Sequence, residues 1–303
     1  MILGLDIGGT KMEAAVFDEQ FTALARHRVA TPTDDYSGFM AEIAGLVAWG
    51  DAQAGCRTRV GVGFPGLIDA QGRSLSANVP CARLRHVEID IAQRLDRPVA
   101  LCNDTHCFAL SEAVGGAGAG FRSVFGAILG TGAAGGLVID GKLYRGRLQM
   151  AGEYGHLPLP AHIARAFDLP FRRCGCGLQN CLEAYIAGPG LLRLARDFGV
   201  TAARTADVIA AWQRGDALAL VVRECYFALL GAAFVALVKL YDPDIVVLGG
   251  GLSLVDEIIE QLPRAIEAEL FAGFSAPPVR RAAFGDSSGA RGAAILAGQE
   301  LPL

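Results

Sequence analysis

Hydrophobic and polar positions alternate between two periods along this chain. Residues 2–7 are apolar except for Asp6, and residues 12–17 form a second apolar run rich in strand formers. Both runs are short and flank Gly8-Gly9-Thr10-Lys11, so they read as strands joined by a tight glycine turn. Residues 21–31 predict a third strand. The period then changes: Phe39, Met40, Ile43, Leu46 and Val47 recur at helical spacing and predict an amphipathic helix over 36–54. Residues 59–64 predict a strand closed by the turn Pro65-Gly66, 87–95 a helix, and 98–102 a buried strand. Residues 105–114 predict a helix with Asp104 placed to cap it. Residues 123–129 predict another strand, and 137–139 with 142–144 a hairpin about Asp140-Gly141. A strong apolar strand is expected over 244–248, a helix from about 254 to 271, and a last helix over 288–298. Strands alternating with helices, each strand ending in a glycine or polar turn, indicate an α/β architecture.

Length and composition refine this picture. A chain of 303 residues, 52% hydrophobic with 39 glycines, is a well-packed protein with room for two domains. The glycine-alanine stretch 115–120 is the natural boundary. It divides the chain into an N-terminal domain, 1–116 plus 289–303, and a C-terminal domain, 117–288. A net charge of −4 gives no nucleic-acid surface. The pairs Arg172-Arg173 and Arg280-Arg281 read as solvated surface. The longest apolar stretch, 226–238, falls short of the roughly 20 residues that span a bilayer. It reads as core or a homodimer face, and no membrane partner is expected. The first apolar run is too short for a secretory leader and contains Asp6, so a cytoplasmic protein is expected. Its eight cysteines are then not a disulfide framework. Cys56, Cys81, Cys102, Cys107 and Cys225 read as core residues.

Candidate chemistry lies at the turns. Asp6 ends a buried strand beside Gly8 and Gly9, where glycine permits positive φ and close approach of a ligand. Backbone N–H groups in such a turn can form an anion nest, and an acid beside it suits a metal-bridged phosphate. A plain glycine hairpin is the competing reading. The order Thr10-Lys11 and the following strand exclude a Walker A loop. Gly130-Thr131-Gly132 repeats the strand-turn-strand device and suits a second phosphate contact. The matches to G-x-G-x-x-G at 61–66 and 130–135 lack a following helix, so neither is a dinucleotide site. Gly249-Gly250-Gly251 follows a strand, where a flat adenine or a close strand-helix turn would each fit. Asp104 can serve as general base in phosphoryl transfer, as a helix cap, or as both. Cys174, Cys176 and Cys181 lie on a glycine-rich loop and suit tetrahedral zinc, with His156 or His162 as fourth ligand.

Taken in order, these motifs resemble the ROK family within the actin-like sugar kinases. The resemblance is carried by Asp6 to Lys11, Gly63-Phe64-Pro65-Gly66, Asn103-Asp104, Gly130-Thr131-Gly132, Glu153-Tyr154-Gly155-His156, the Cys174 to Glu183 stretch and Leu248 to Gly251. It implies an actin-like (ribonuclease-H-like) two-domain fold with an interdomain cleft, and transfer of phosphate from ATP, with Mg²⁺, to a hexose 6-hydroxyl. It implies Asp104 as base, Asn103, Glu153, His156 and Glu183 as sugar contacts, and Gly66 approaching the sugar through its backbone. Asn78 joins them at the sugar or its acetamido group. Gly4, Asp6, Gly8, Gly9, Thr10, Lys11, Gly130, Thr131, Gly132, Gly249, Gly250 and Gly251 fall to the nucleotide. His156, Cys174, Cys176 and Cys181 become structural zinc ligands, with His156 binding zinc through one ring nitrogen and sugar through the other. Ser76-Ala77-Asn78-Val79-Pro80 and the 168–173 stretch resemble the family's N-acetylglucosamine kinases, with glucokinases, fructokinases and other hexokinases as the alternative. A family repressor would carry a DNA-binding domain ahead of the phosphate turn, and a non-catalytic sensor would be expected to lose Asp104.

Overall fold

The computed structural model describes residues 1–302; Leu303, the end of the expected N-terminal domain, lies outside them. In chain order the strands are β1 (Ile2–Ile7), β2 (Lys11–Phe17), β3 (Ala23–Ala30), β4 (Arg59–Phe64), β5 (Leu67–Ile68), β6 (Ser74–Leu75), β7 (Val99–Asn103), β8 (Ser123–Leu129), β9 (Ala133–Ile139), β10 (Lys142–Tyr144), β11 (Ile245–Gly249) and β12 (Val279–Arg281). The helices are α1 (Tyr36–Ala54), α2 (Val87–Leu95), α3 (Asp104–Ala113), α4 (Ala161–Ala166), α5 (Glu183–Ile186), α6 (Gly188–Asp197), α7 (Thr205–Gln213), α8 (Ala217–Tyr241), α9 (Asp256–Glu267) and α10 (Ser288–Glu300). Two five-stranded sheets share one topology: β3-β2-β1-β4-β7 and β10-β9-β8-β11-β12. In the first, β1, β4 and β7 run parallel, while β2 and β3 are antiparallel.

The chain forms two compact units. Unit 1 comprises Met1–Arg122, Gly136–Ala151 and the residues from Ala283 onward; unit 2 comprises Ser123–Gly135 and Gly152–Ala282. Residues 136–151, expected in the C-terminal domain, cluster with unit 1. Gly136 meets His106 on α3, and the Arg145 guanidinium donates to the Leu101 carbonyl at 3.1 Å.

The period of two along β1 explains the core of unit 1. Leu3, Leu5 and Ile7 are buried in one cluster with Phe39, Ile43, Leu46 and Val47 of α1. Gly4 and Asp6 take the opposite face, toward α10. A Cβ on Gly4 would sit 1.8 Å from the Ala290 carbonyl oxygen, and one on Gly61 of β4 at 1.8 Å from that of Ala293. These two glycines let α10 lie directly on the sheet.

Several expectations need correction. Residues 226–238 belong to the 25-residue helix α8, whose apolar window is 72% buried. They are core, which removes the dimer-face reading of that stretch. The helix after β11 begins at Asp256 and ends at Glu267, after a 3₁₀ turn at Gly251–Leu254. Cys56 is exposed, not core. Arg172 is a strut rather than solvated surface: it lies over the Tyr185 ring at 4.5 Å and donates to Ala184 O at 2.9 Å. Arg281 likewise donates to Ser253 O at 2.7 Å.

Candidate functional site

The first phosphate-type turn lies in unit 1 at the end of β1. The Gly8 amide donates to Lys11 O at 2.9 Å, and Thr31 donates its hydroxyl to Gly8 O at 2.7 Å. Neither Gly8 nor Gly9 adopts positive φ. Their glycines serve close approach: a Cβ on Gly9 would lie 2.9 Å from the Asn78 carbonyl oxygen. The backbone of Asn78, an expected sugar contact, thus packs on this turn. Gly4 lies mid-strand, four residues before Gly8, and its missing side chain serves the α10 contact rather than a phosphate. Asp6 projects at the first turn of α10, where the helix dipole favours a negative charge. A Cβ on Gly289 would sit 2.3 Å from Asp6 Oδ2, so only glycine leaves a cradle for this carboxylate. A hard oxygen donor beside a backbone turn fits Mg²⁺.

Asn103 and Asp104 stand where β7 passes into α3. Asn103, not Asp104, is the helix N-cap. Its Oδ1 accepts from the Thr105 amide at 2.8 Å and from the Thr105 hydroxyl at 2.6 Å. Its Nδ2 donates to Gly66 O at 2.9 Å, so the two expected sugar contacts are locked together. Gly66 has φ +128°, which favours glycine, and a Cβ there would meet Leu75 O at 2.5 Å. Asp104 is the first residue of α3 and half-buried, with Oδ1 accepting from the Thr105 amide at 2.9 Å. Strand end, cap and helix together fix its carboxylate.

Sequence reading missed two buried polar residues on this helix. His106 donates through Nε2–H to the Ala151 carbonyl at 2.8 Å, and burial lowers its pKa. The ring is therefore neutral in the physiological range, and Nε2–H is the donor. Glu112 is fully buried near the end of α3. Each was signalled only as a lone polar residue in an apolar helical run.

In unit 2 the second turn is closed by its own backbone, with the Gly130 amide on Gly132 O at 2.9 Å. Glu183, at the start of α5, accepts the Ala133 amide at 3.0 Å through Oε2. Parallel pairing of β8 with β11 sets Gly249 beside Ile128. Gly250 has φ +82°, and a Cβ on Gly130 would lie 3.5 Å from the Gly251 amide nitrogen. The structure thus brings Gly130 and the triple glycine together.

The thiol loop completes the picture. The ligand atoms of His156, Cys174, Cys176 and Cys181 all lie within 4.8 Å of one another. His156 Nδ1 is 3.7 Å from Cys174 Sγ, and Cys176 Sγ is 3.6 Å from Cys181 Sγ. A tetrahedral zinc with its usual bond lengths needs edges of roughly 3.5–3.8 Å. Burial, then neighbouring thiols, push Cys181 up to about 12, and burial raises Cys174 as well. A cation is what lets such a set ionise, so the donors fit Zn²⁺. His162 is exposed and faces Glu269 at 3.4 Å, which removes it as a ligand. With Nδ1 toward the thiols, the other ring nitrogen of His156 lies 3.7 Å from Glu153 Oε2. Cys174 Sγ also lies 3.8 Å from Glu183 Oε1. The three expected sugar contacts of unit 2 therefore surround the cluster. Burial, and then the charge of Glu183, push Glu153 up to about 7.

Known proteins resemble this chain along its whole length. It is 49% identical over 299 residues to an N-acetylgalactosamine kinase of Shewanella sp., covering 98% of this chain and 96% of the relative. It is 42% identical to an N-acetyl-D-glucosamine kinase of Vibrio cholerae, covering 98% and 99%. The ROK hexokinase of Thermus thermophilus superposes with a TM-score of 0.85 at 34% identity, covering 97% of each chain. A ROK glucokinase of Streptomyces griseus, solved with glucose and AMPPNP, gives 0.77 at 30% identity, covering 98% and 99%. The ROK family model matches residues 2–300. Matched by that model over nearly its whole length, the chain belongs to the ROK family.

Proposed function

We propose that this chain, an ATP-dependent sugar kinase, transfers the γ-phosphoryl group of ATP to the 6-hydroxyl of N-acetyl-D-glucosamine. The observation that carries the reading is the Asn103-Asp104 junction, held by Gly66 and the start of α3 in a chain matched end to end by N-acetylhexosamine kinases. Asp104 accepts the proton of the attacking hydroxyl as the phosphoryl group departs ADP, a role typically worth ~10²–10⁴-fold. Asn103, the Gly66 backbone and Asn78 orient the sugar. Glu153, His156 and Glu183 bind its remaining hydroxyls. Phosphoryl transfer needs positioning and charge neutralisation more than covalent chemistry, and the two glycine turns supply N–H groups for the phosphates. Asp6 would hold Mg²⁺, which supplies charge neutralisation on the phosphates. His156, Cys174, Cys176 and Cys181 would hold Zn²⁺, which supplies a fixed orientation of the His156 ring. Gly249 to Gly251 offer a flat backbone for adenine. The substrates are small and soluble, consistent with a cytoplasmic enzyme.

A second reading, N-acetyl-D-galactosamine, is favoured by the 49% identical Shewanella relative. The two sugars differ only in the configuration of one hydroxyl. An ADP-release assay across N-acetylglucosamine, N-acetylgalactosamine, N-acetylmannosamine, glucose and fructose separates them by kcat/KM. Highest kcat/KM with N-acetylglucosamine, and phosphate on O6 by NMR, supports the first reading. A preference for N-acetylgalactosamine moves the assignment to the second, and a preference for glucose removes both.

A further inference from the structure

Glu112 is the one carboxylate of α3 that the proposed reaction does not use, and it is fully buried. Its oxygens accept four hydrogen bonds, two each. Oε2 accepts the amides of Ala117 at 3.1 Å and Ala283 at 2.8 Å. Oε1 accepts the Phe284 amide at 3.1 Å and the Ser288 hydroxyl at 2.8 Å. Four donors fill the acceptor sites of a carboxylate, which makes the buried charge tolerable. The Arg291 guanidinium lies nearby, over the Phe284 ring at 4.3 Å and on Ser111 O at 2.8 Å.

The consequence lies at α10. Ser288 is the first residue of that helix, and Gly289, the next, is the residue against the Asp6 carboxylate. Gly292 lets α10 touch α3 backbone to backbone: a Cβ there would lie 1.8 Å from Cys107 O. The segment entering α10 is thus held at Phe284 and Ser288 by Glu112 and at Gly292 by α3 itself. The period of two along β1 aims Asp6 at the turn so fixed. We propose that Glu112 is a positioning residue for Asp6, holding the first turn of α10 so that Asp6 meets the magnesium–phosphate group in a fixed geometry. This rests on the kinase reading above. It also predicts a division of labour on α3: its first residue acts on the sugar hydroxyl, and Glu112, near its end, acts on the nucleotide side.

The test is Glu112→Gln in the full chain. The glutamine amide cannot accept at two of the four donors, so the entry to α10 loosens. Binding of Mg·ADP, by isothermal titration calorimetry, is expected to weaken about tenfold or more, the usual cost of losing a partner that orients a metal-binding group. Sugar affinity is expected to stay within about twofold. Hydrogen exchange is expected to speed up at the Ala283 and Phe284 amides. Ser288→Ala, which removes one bond, should shift Mg·ADP affinity the same way by less, and carries the test if Glu112→Gln does not fold. Gly289→Ala, which crowds Asp6 directly, should weaken Mg·ADP and spare the sugar. Folded variants that bind Mg·ADP like wild type, or lose sugar and nucleotide affinity equally, would overturn the proposal. A wild-type protein that binds no Mg·ADP at all would instead sink the kinase reading itself.

Discussion

Asp104 and His156 are held in place by different means. Asp104 sits where a buried strand turns into a helix, and Asn103 caps that helix while its amide grips Gly66. The Thr105 amide donates to its carboxylate, and the neutral Asn103 side chain holds the helix start beside it. His156 sits on a 3₁₀ turn, Tyr154–His156, and faces a loop from 172 to 182 whose own regular structure is a pair of isolated bridges. Besides a few backbone hydrogen bonds, that loop gathers three thiols and an imidazole, a set that repels itself when ionised unless a cation joins it. The first site is organised by secondary structure. The second reads as a site completed by its ion. Under the proposed roles, turnover at the junction and sugar binding at the thiol loop should therefore fail independently.

The largest effect expected is on turnover. Asp104→Asn keeps the shape of the junction and removes the proton acceptor, so kcat should fall ~10²–10⁴-fold. Steady-state ADP release measures it, and a kcat near wild type would take the base role from Asp104. Next comes the loop. Chelation, or Cys176→Ser, should release one zinc per chain by elemental analysis. It should also strip exchange protection from the amides of Cys174, Leu182 and Asn180, which bond Leu178 O, Leu157 O and Arg172 O. Protection unchanged after metal removal would mean that packing alone holds the loop. Smaller again is Gly292→Ala, which strains the α3–α10 contact beneath Asp104. Overpacking of this kind costs about 1–3 kcal/mol, read as a lower Tm, while the thiol loop keeps its exchange protection.

A pH dependence of stability is also expected. Glu153 in the metal-free protein is raised from 4.5 to about 7, by burial first and by Glu183 second. The folded state then holds a proton near pH 6 that the unfolded chain has released. The stability this contributes is present below about 4.5 and is lost as pH rises to about 7. Tm against pH should slope downward across that window, and Glu153→Gln should flatten it. An identical slope in the variant would locate the proton elsewhere.

Much of this was legible in the sequence, for a physical reason. Helix α1 showed five apolar residues at one spacing, and β4, alternating apolar residues with glycine, and β8 each ended at a glycine turn, so their bounds could be read directly. The helices α4 to α7 were missed; α4 and α5, at six and four residues, are too short to show a period. Helix α6 opens on Gly188-Pro189, a breaker pair, and α7 is capped through Arg204 and Asp207 rather than by a typical cap residue. The cap of α3 was assigned one residue late because Asn103 and Asp104 are both good caps, and the Gly66 contact that orients Asn103 lies 37 residues away. The thiols announced themselves by spacing. Glu112 could not, since three of its donors lie 171 to 176 residues downstream. A hydrogen-bond hub of that range leaves one acid in an apolar helix as its only trace.

The most direct measurement is calorimetric titration of N-acetylglucosamine into two proteins, zinc-loaded Asp104→Asn and chelated wild type. Binding retained in the first and weakened about tenfold or more in the second is the expected result. Binding lost with Asp104 but kept without the metal would contradict the division between a rigid catalytic junction and an ion-dependent sugar loop.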